Sequence, residues 1–229
     1  MVFPAMTSPI PARTVTTDTG NNPHLQRAYA INSPDEARAV YDSWAATFDS
    51  DMRSSALDYA APTITAQMVL AHLGGKIFAE IEILDAGCGS GLAGVELAKL
   101  GTKIIDGVDV SEGMLGVARK SGVYRMLEPA DLTKPMGIED SRYDVVVCVG
   151  TLTHGHVGPN AIADFVRVTK GKGLVVATVL GDIWESDGYK EEVERLEKAG
   201  EVEVLNTSLE DYRRGGGVKA VMLVLRVLK

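Results

Sequence analysis

Residues 82–94 read Glu-Ile-Leu-Asp-Ala-Gly-Cys-Gly-Ser-Gly-Leu-Ala-Gly. Ile81, Ile83 and Leu84 form a short apolar run, Asp85 ends it, and Gly87, Gly89 and Gly91 follow at every second position. From Leu92 to Leu100 the rhythm turns helical, with Leu92, Val95, Leu97 and Ala98 apolar and Glu96 and Lys99 polar. A strand that turns through glycines into a helix offers bare backbone N–H groups and a positive helix end to a carboxylate or phosphate. Further along, Asp109 closes an apolar run, Asp131 sits in a turn-like stretch, and His154 and His156 follow the most apolar run of all. Carboxylates accept hydrogen bonds, and imidazoles titrate near neutrality, so this set suits ligand recognition coupled to proton transfer.

The elements that must position these groups alternate. Residues 1–32 are rich in Pro, Thr, Ser and Asn without periodicity and are expected to form a tail. Ser33 is an N-cap candidate, Pro34 suits the first helical position, and the helix it opens carries Ala37, Val40, Tyr41, Trp44 and Ala45 on one side. A second helix follows Pro62 and stops at Gly74-Gly75. Strands are expected over 104–109, weakly over 124–128, and over 143–149, the last apolar enough to be central and covered on both faces. Helices are expected from Ser111 to Lys120 and over 160–168, then a strand over 174–180. A charged helix over 186–199 precedes two closing strands near 202–205 and 220–228. Repeated βα units require an α/β fold with a mostly parallel sheet between helical layers, and two consecutive strands at the end suggest an antiparallel edge.

Composition narrows the function classes. The chain has 229 residues, 45% hydrophobic, enough for one large core and short for two full domains. A formal net charge of −8 argues against a nucleic-acid or anionic-membrane surface, and Arg213-Arg214 is too small a basic pair to change that. No apolar run approaches the roughly 20 residues of a membrane helix. Cys88 and Cys148 make no disulfide framework and fit a reducing, cytoplasmic setting. The two histidines lack the clustered companions a zinc site needs, so no metal is expected.

Two glycine fingerprints overlap. Gly89, Gly91 and Gly94 satisfy G-x-G-x-x-G, the dinucleotide signature, with Asp109 downstream. Read from Asp85 the same residues spell D-x-G-x-G-x-G, which resembles motif I of the class I S-adenosylmethionine-dependent methyltransferases. The second register is favoured, because Asp85, Ala86, Gly87 and Cys88 intervene before a dinucleotide motif would begin, and a dehydrogenase would also need a substrate domain where only about one modest domain's worth of chain remains. The resemblance covers roughly Tyr41 to the C-terminus. More narrowly, Tyr41-Asp42-Ser43-Trp44-Ala45, the stretch from Val149 to Val157, and Val168-Thr169-Lys170 resemble the methyltransferase-like proteins named after the Williams–Beuren syndrome chromosomal region.

The resemblance implies a Rossmann-like three-layer αβα sandwich with a seven-stranded, mostly parallel sheet and an antiparallel final strand. It implies one methyltransferase domain over 33–229, with a helical cap over about 33–78. It further implies that Gly87, Gly89 and Gly91 approach the methionine part of S-adenosylmethionine, that Asp85 orients its ammonium, and that Asp109 accepts from the ribose hydroxyls. Asp131 would accept from the adenine amino group with Leu132 on the ring. Val110 and Met114 would cover the adenine or belong to the core, and Cys88 and Val149 would also lie against the cofactor. Turn or cap roles remain open for Asp109 and Asp131. Tyr41 would close the pocket and bond the methionine carboxylate, with Trp44 left open. His154 and His156 follow the fourth strand, where an acceptor meets the transferred methyl, and are the candidates for a catalytic base. The expected activity is methyl transfer to O, N or S of a small molecule, releasing S-adenosylhomocysteine. A cyclisation, elimination or rearrangement in the same fold is the alternative, as is a non-catalytic cofactor-binding regulator. Neither acceptor nor oligomeric state can be read from the sequence.

Overall fold

The computed structural model describes residues 18–228. Seven strands form one sheet: β1 (Glu82–Ala86), β2 (Ile104–Asp109), β3 (Met126–Pro129), β4 (Tyr143–Leu152), β5 (Thr169–Leu180), β6 (Val202–Arg213) and β7 (Val218–Val227), in spatial order β3-β2-β1-β4-β5-β7-β6. The first five run parallel to one another, whereas β7 is antiparallel to both β5 and β6. Two reversals leave β6 pointing the same way as β1, so it ends on the edge where the glycine loop lies. The strand order reverses between β1 and β4, which opens a crevice beyond their carboxyl ends.

Helices cover both faces. On β4, Val145 and Val147 pack against the layer holding α4 (Ala61–His72) and α5 (Leu92–Lys99). Val146 and Cys148 point the other way, toward α7 (Asn160–Val168) and α8 (Tyr189–Lys198). This alternation with both sides buried makes β4 the spine of a three-layer sandwich, as the unbroken apolar run requires. In α7, Ala161, Ile162, Phe165 and Val166 are all buried, one stripe of an amphipathic helix. Ser111 caps α6 (Glu112–Ser121) by accepting from Met114 N at 3.0 Å.

The described part of the segment expected as a tail, residues 18–32, packs onto the protein. Asn22 caps a six-residue helix, α1 (Pro23–Ala28), and Leu25, Ala28 and Ile31 are buried. They join Ala37, Val40 and Trp44 of α2 (Pro34–Trp44) and Met52 of α3 (Phe48–Met52) in a small core of their own over the sheet's carboxyl edge. A helix this short leaves no periodic signature, and its stability comes from that packing. Residues 1–17 lie outside the described residues.

β6 differs from the short strand expected near 202–205. It continues through Asn206, Ser208, Glu210 and Asp211, residues of low strand propensity, because β7 offers them an antiparallel partner out to Arg213↔Val218, with register shifts between Val204 and Asn206 and between Asp211 and Arg213. That extension carries Tyr212 and Arg213 to the crevice. No helix among the described residues is long and apolar enough to cross a membrane.

Candidate active site

The turn after β1 is built from glycines for two different reasons. Gly87, Gly89 and Gly91 all have positive φ, at 76°, 52° and 95°. At Gly87 a Cβ would fall 2.1 Å from Thr151 Oγ1, so only glycine fits, while at Gly89 a Cβ would meet open space. Gly87 and Gly89 border the cleft. Gly91 does not; it is the left-handed N-cap of α5 and lies over the Tyr124 ring. Gly94 also faces Tyr124, whose hydroxyl would sit 2.3 Å from a Cβ there. The third glycine of the dinucleotide reading therefore makes room for a tyrosine ring.

Tyr124 passes over Gly94 to donate to Asp85 Oδ2 at 2.6 Å. Asp85 is fully buried, its Oδ1 has no partner, and burial pushes its carboxyl up to about 7. Asp109, at the end of β2, accepts from Gly89 N at 2.8 Å through Oδ2 and from Ser111 N at 2.9 Å through Oδ1. It therefore braces the glycine loop against the start of α6. Burial again raises its carboxyl, against the pull of those amides. Asp42, on α2, completes the brace: its Oδ1 accepts from Ser111 Oγ at 2.6 Å and from Gly113 N at 2.9 Å. A carboxylate at a helix N-terminus is favoured by the exposed amides and the helix dipole.

One cleft of about 1140 Å³, counting its solvent-open mouth, joins these parts. Of the predicted positions, Tyr41, Asp85, Gly87, Cys88, Gly89, Asp109, Val110, Met114, Asp131, Leu132, Val149 and His156 line it, and so does Trp44. Asp131 both borders the cleft and makes its own turn, accepting from Thr133 N at 3.0 Å and pairing with Lys134 at 2.8 Å. Burial raises its carboxyl, but these partners outweigh it and leave it below the usual range. Burial drives the Cys88 thiol far up, so it is an apolar wall group, not a nucleophile.

The two histidines separate. His154 is absent from the cleft wall; its Nε2 lies 2.9 Å from Asp182 Oδ2. His156 is in the wall, with Nδ1 2.6 Å from the His154 carbonyl oxygen and Nε2 2.8 Å from the Tyr41 hydroxyl. A carbonyl only accepts, so Nδ1 carries the proton and Nε2 accepts from Tyr41. Burial lowers the imidazole below its ordinary value, which keeps it neutral at pH 7. Tyr41 thus spends its single proton on Nε2 and presents only lone pairs to the cleft.

Sequence reasoning missed the far end of the cleft. Tyr29, Tyr59, Tyr212 and Arg213 line it there, contributed by the assumed tail, the α3–α4 connection and the unexpected extension of β6. The Arg213-Arg214 doublet is the one signal for it in the sequence, and a basic pair by itself does not distinguish an exposed arginine from a buried one.

The comparisons with known proteins agree with this geometry. The model of a methyltransferase domain matches residues 84–177. Human methyltransferase-like protein 27 is 35% identical over 173 residues, covering 73% of this chain and 69% of its own. Among solved structures, the cyclase SpnF superposes with a TM-score of 0.62 at 15% identity, over 86% of this chain and 98% of its own. Magnesium protoporphyrin IX methyltransferase of Synechocystis PCC 6803, with S-adenosylhomocysteine bound, superposes with a TM-score of 0.55 at 15% identity, over 72% and 83%. The chain belongs to the class I S-adenosylmethionine-dependent methyltransferases, in the group of methyltransferase-like protein 27.

Proposed function

We propose that this methyltransferase alkylates an O, N or S atom of a small-molecule acceptor, with His156 as general base. What carries the reading is that His156, tautomer fixed and neutral, stands in the same cleft wall as the glycine loop. Bound S-adenosylmethionine supplies a methyl group already activated on a sulfonium. The residues present fit such a group. The unpartnered Asp85 Oδ1 suits its ammonium, and the open space at Gly89 allows close backbone approach. Each Asp109 oxygen already takes one backbone N–H and keeps a lone pair for a ribose hydroxyl. Val110, Met114 and Leu132 supply an apolar slot for the base.

The protein's share of the chemistry is alignment and proton removal. A hydroxyl, thiol or amine that gains a methyl must lose its proton. The Tyr41 hydroxyl takes that proton as it passes its own to His156 Nε2, and the His154 carbonyl stabilises the imidazolium through Nδ1–H. Positioned bases of this kind contribute about 10²–10⁴-fold, so His156→Ala should lower turnover by at least about 100-fold while leaving cofactor affinity nearly intact. His154→Ala keeps its backbone carbonyl and should retain most of the turnover. The test is an acceptor screen with labelled methyl donor, read as product mass and S-adenosylhomocysteine formed. Equal turnover in wild type and His156→Ala removes the base. A product isomeric with its precursor replaces methyl transfer with the cyclisation or rearrangement reading.

A further inference from the structure

One buried cation in the cleft has no part in the chemistry above. Arg213 ends β6 and is 1% exposed. It is roofed by residues 57–60, which run beside the end of β6: Ala60 N donates to Tyr212 O at 3.0 Å, and Arg214 N donates to Asp58 O at 3.0 Å. Its Nη2 donates to the Tyr29 hydroxyl at 2.7 Å, and its guanidinium lies over the Tyr29 and Tyr212 rings at 5.5 and 5.8 Å. Its Nε and Nη1 have no acceptor, and no carboxylate among the described residues forms an ion pair with it. Asp182 pairs with His154 through Oδ2 while its Oδ1 makes no bond to Arg213, and Asp211 pairs with Lys219 and Arg214. Arg214, by contrast, is exposed and makes an ordinary surface pair. A charge removed from water without a partner is unfavourable, and its persistence in a cleft wall is what an anion-binding residue requires.

Resting on the methyl-transfer reading of the same cleft, we propose that Arg213 anchors the acceptor through a carboxylate, so that the substrate is a small carboxylic acid with an apolar or aromatic body. Three observations select this class. First, Arg213 ends β6, on the opposite side of β4 from β2 and Asp109, and its neighbours Tyr59 and Tyr212 pack against Gly150 of β4, so it stands on the side of the cleft away from the ribose acid. Second, among the described residues it is the only Lys or Arg lining the cleft, so a single negative charge is matched and a phosphate dianion is not. Third, the wall beside it is aromatic, made by Tyr29, Tyr59 and Tyr212, with the Tyr59 and Tyr212 rings edge-to-face at 5.2 Å.

The experiment is calorimetric titration of the protein saturated with S-adenosylhomocysteine. The probes are benzoate, 4-hydroxybenzoate, phenylacetate and hexanoate, each paired with its primary amide. At least one acid should bind about tenfold or more tighter than its amide. Arg213→Met should abolish that preference while S-adenosylhomocysteine affinity changes by less than about twofold, and Arg213→Lys should restore part of it. The melting temperature of Arg213→Met without acceptor should hold or rise, because an unpaired buried charge is gone, which a merely structural arginine would not give. Should that variant fail to fold, Tyr29→Phe removes only the hydroxyl that orients the guanidinium and should weaken the acid by about three- to tenfold. The proposal is overturned if no acid outbinds its amide, if Arg213→Met keeps the preference, or if Arg213→Met loses S-adenosylhomocysteine. Failure of the wild type to bind S-adenosylhomocysteine at all would instead overturn the methyl-transfer reading.

Discussion

The two edges of the sheet treat buried charge in opposite ways. At the amino edge Glu82 pairs with Arg125 and Arg142, and Asp144 takes Lys76, Lys170 and the Glu82 amide. Asp106, 1% exposed, accepts both from Arg125 and from the Tyr143 hydroxyl at 2.9 Å. No charged group of this edge holds a buried atom without a partner, among the described residues. At the carboxyl edge Asp85, Asp182 and Arg213 all do. The acids titrate accordingly: hydrogen bonds from Arg142 and Arg125 hold Glu82 down to about 2, whereas burial lifts Asp85 to about 7. Paired charges gather at the amino edge, and unpaired ones at the carboxyl edge beside the cleft.

Substitutions can break that contrast. The largest stability effect belongs to Arg125→Met, which strips Asp106 of its cation and leaves it buried on Tyr143 alone. Removing one member of a buried pair costs about 3–5 kcal/mol. Arg125 is itself 41% exposed, so water makes up part of the loss and about 2 kcal/mol is expected, a fall in melting temperature of about 4–8 °C. An unchanged melting temperature would show that the amino edge is not a fastening. Asp85→Asn should behave in the reverse manner, leaving stability level or higher while weakening cofactor binding by about tenfold, or 1.4 kcal/mol. Lower stability with full affinity would place Asp85 among the structural acids.

The smallest effects sharpen the comparison through pH. Glu82, depressed when folded, contributes stability that is present above about pH 4.5 and is lost as pH falls toward 2. Asp85, raised when folded, has the opposite sign. The unfolded chain releases this proton near pH 3.8 and the folded one near 7, so stability declines as pH rises between them and then levels off. Denaturant titrations from pH 3 to 8 should show that decline in the wild type and a flatter curve in Asp85→Asn. With the proposed pair of an Asp85 carboxylate and the cofactor ammonium, affinity should rise from pH 6 toward about 7.5 and fall again above about 8, where an α-ammonium loses its proton, with proton release on the acid side visible as a buffer-dependent heat. Binding that is flat across this range would remove Asp85 from the ammonium site.

Much of the protein was legible because it is local. The alternation of apolar runs and helical periods gave the sheet order its raw material, and the caps at Ser33 and Ser111 stand where the residue types placed them. The glycine loop and the acid at the end of β2 follow from residues within one βα unit. Asp109 is a loop brace as well as a cleft residue, so the cap reading and the ligand reading both describe it.

The other half of the site depends on contacts that no local pattern encodes. Tyr41 meets His156 across 115 residues, and Tyr29 meets Arg213 across 184. Which histidine faces the cleft depended on which one Asp182 captured. Whether an arginine in a basic doublet became surface charge or a buried anchor depended on β6 following β7 to the rim beneath residues 57–60. Sequence by itself determined the fold and the cofactor end, since periodicity and turn chemistry are properties of short segments. Only the tertiary structure decided the end of the cleft that holds His156 and Arg213, because burial and the absence of a partner are properties of an assembled cleft.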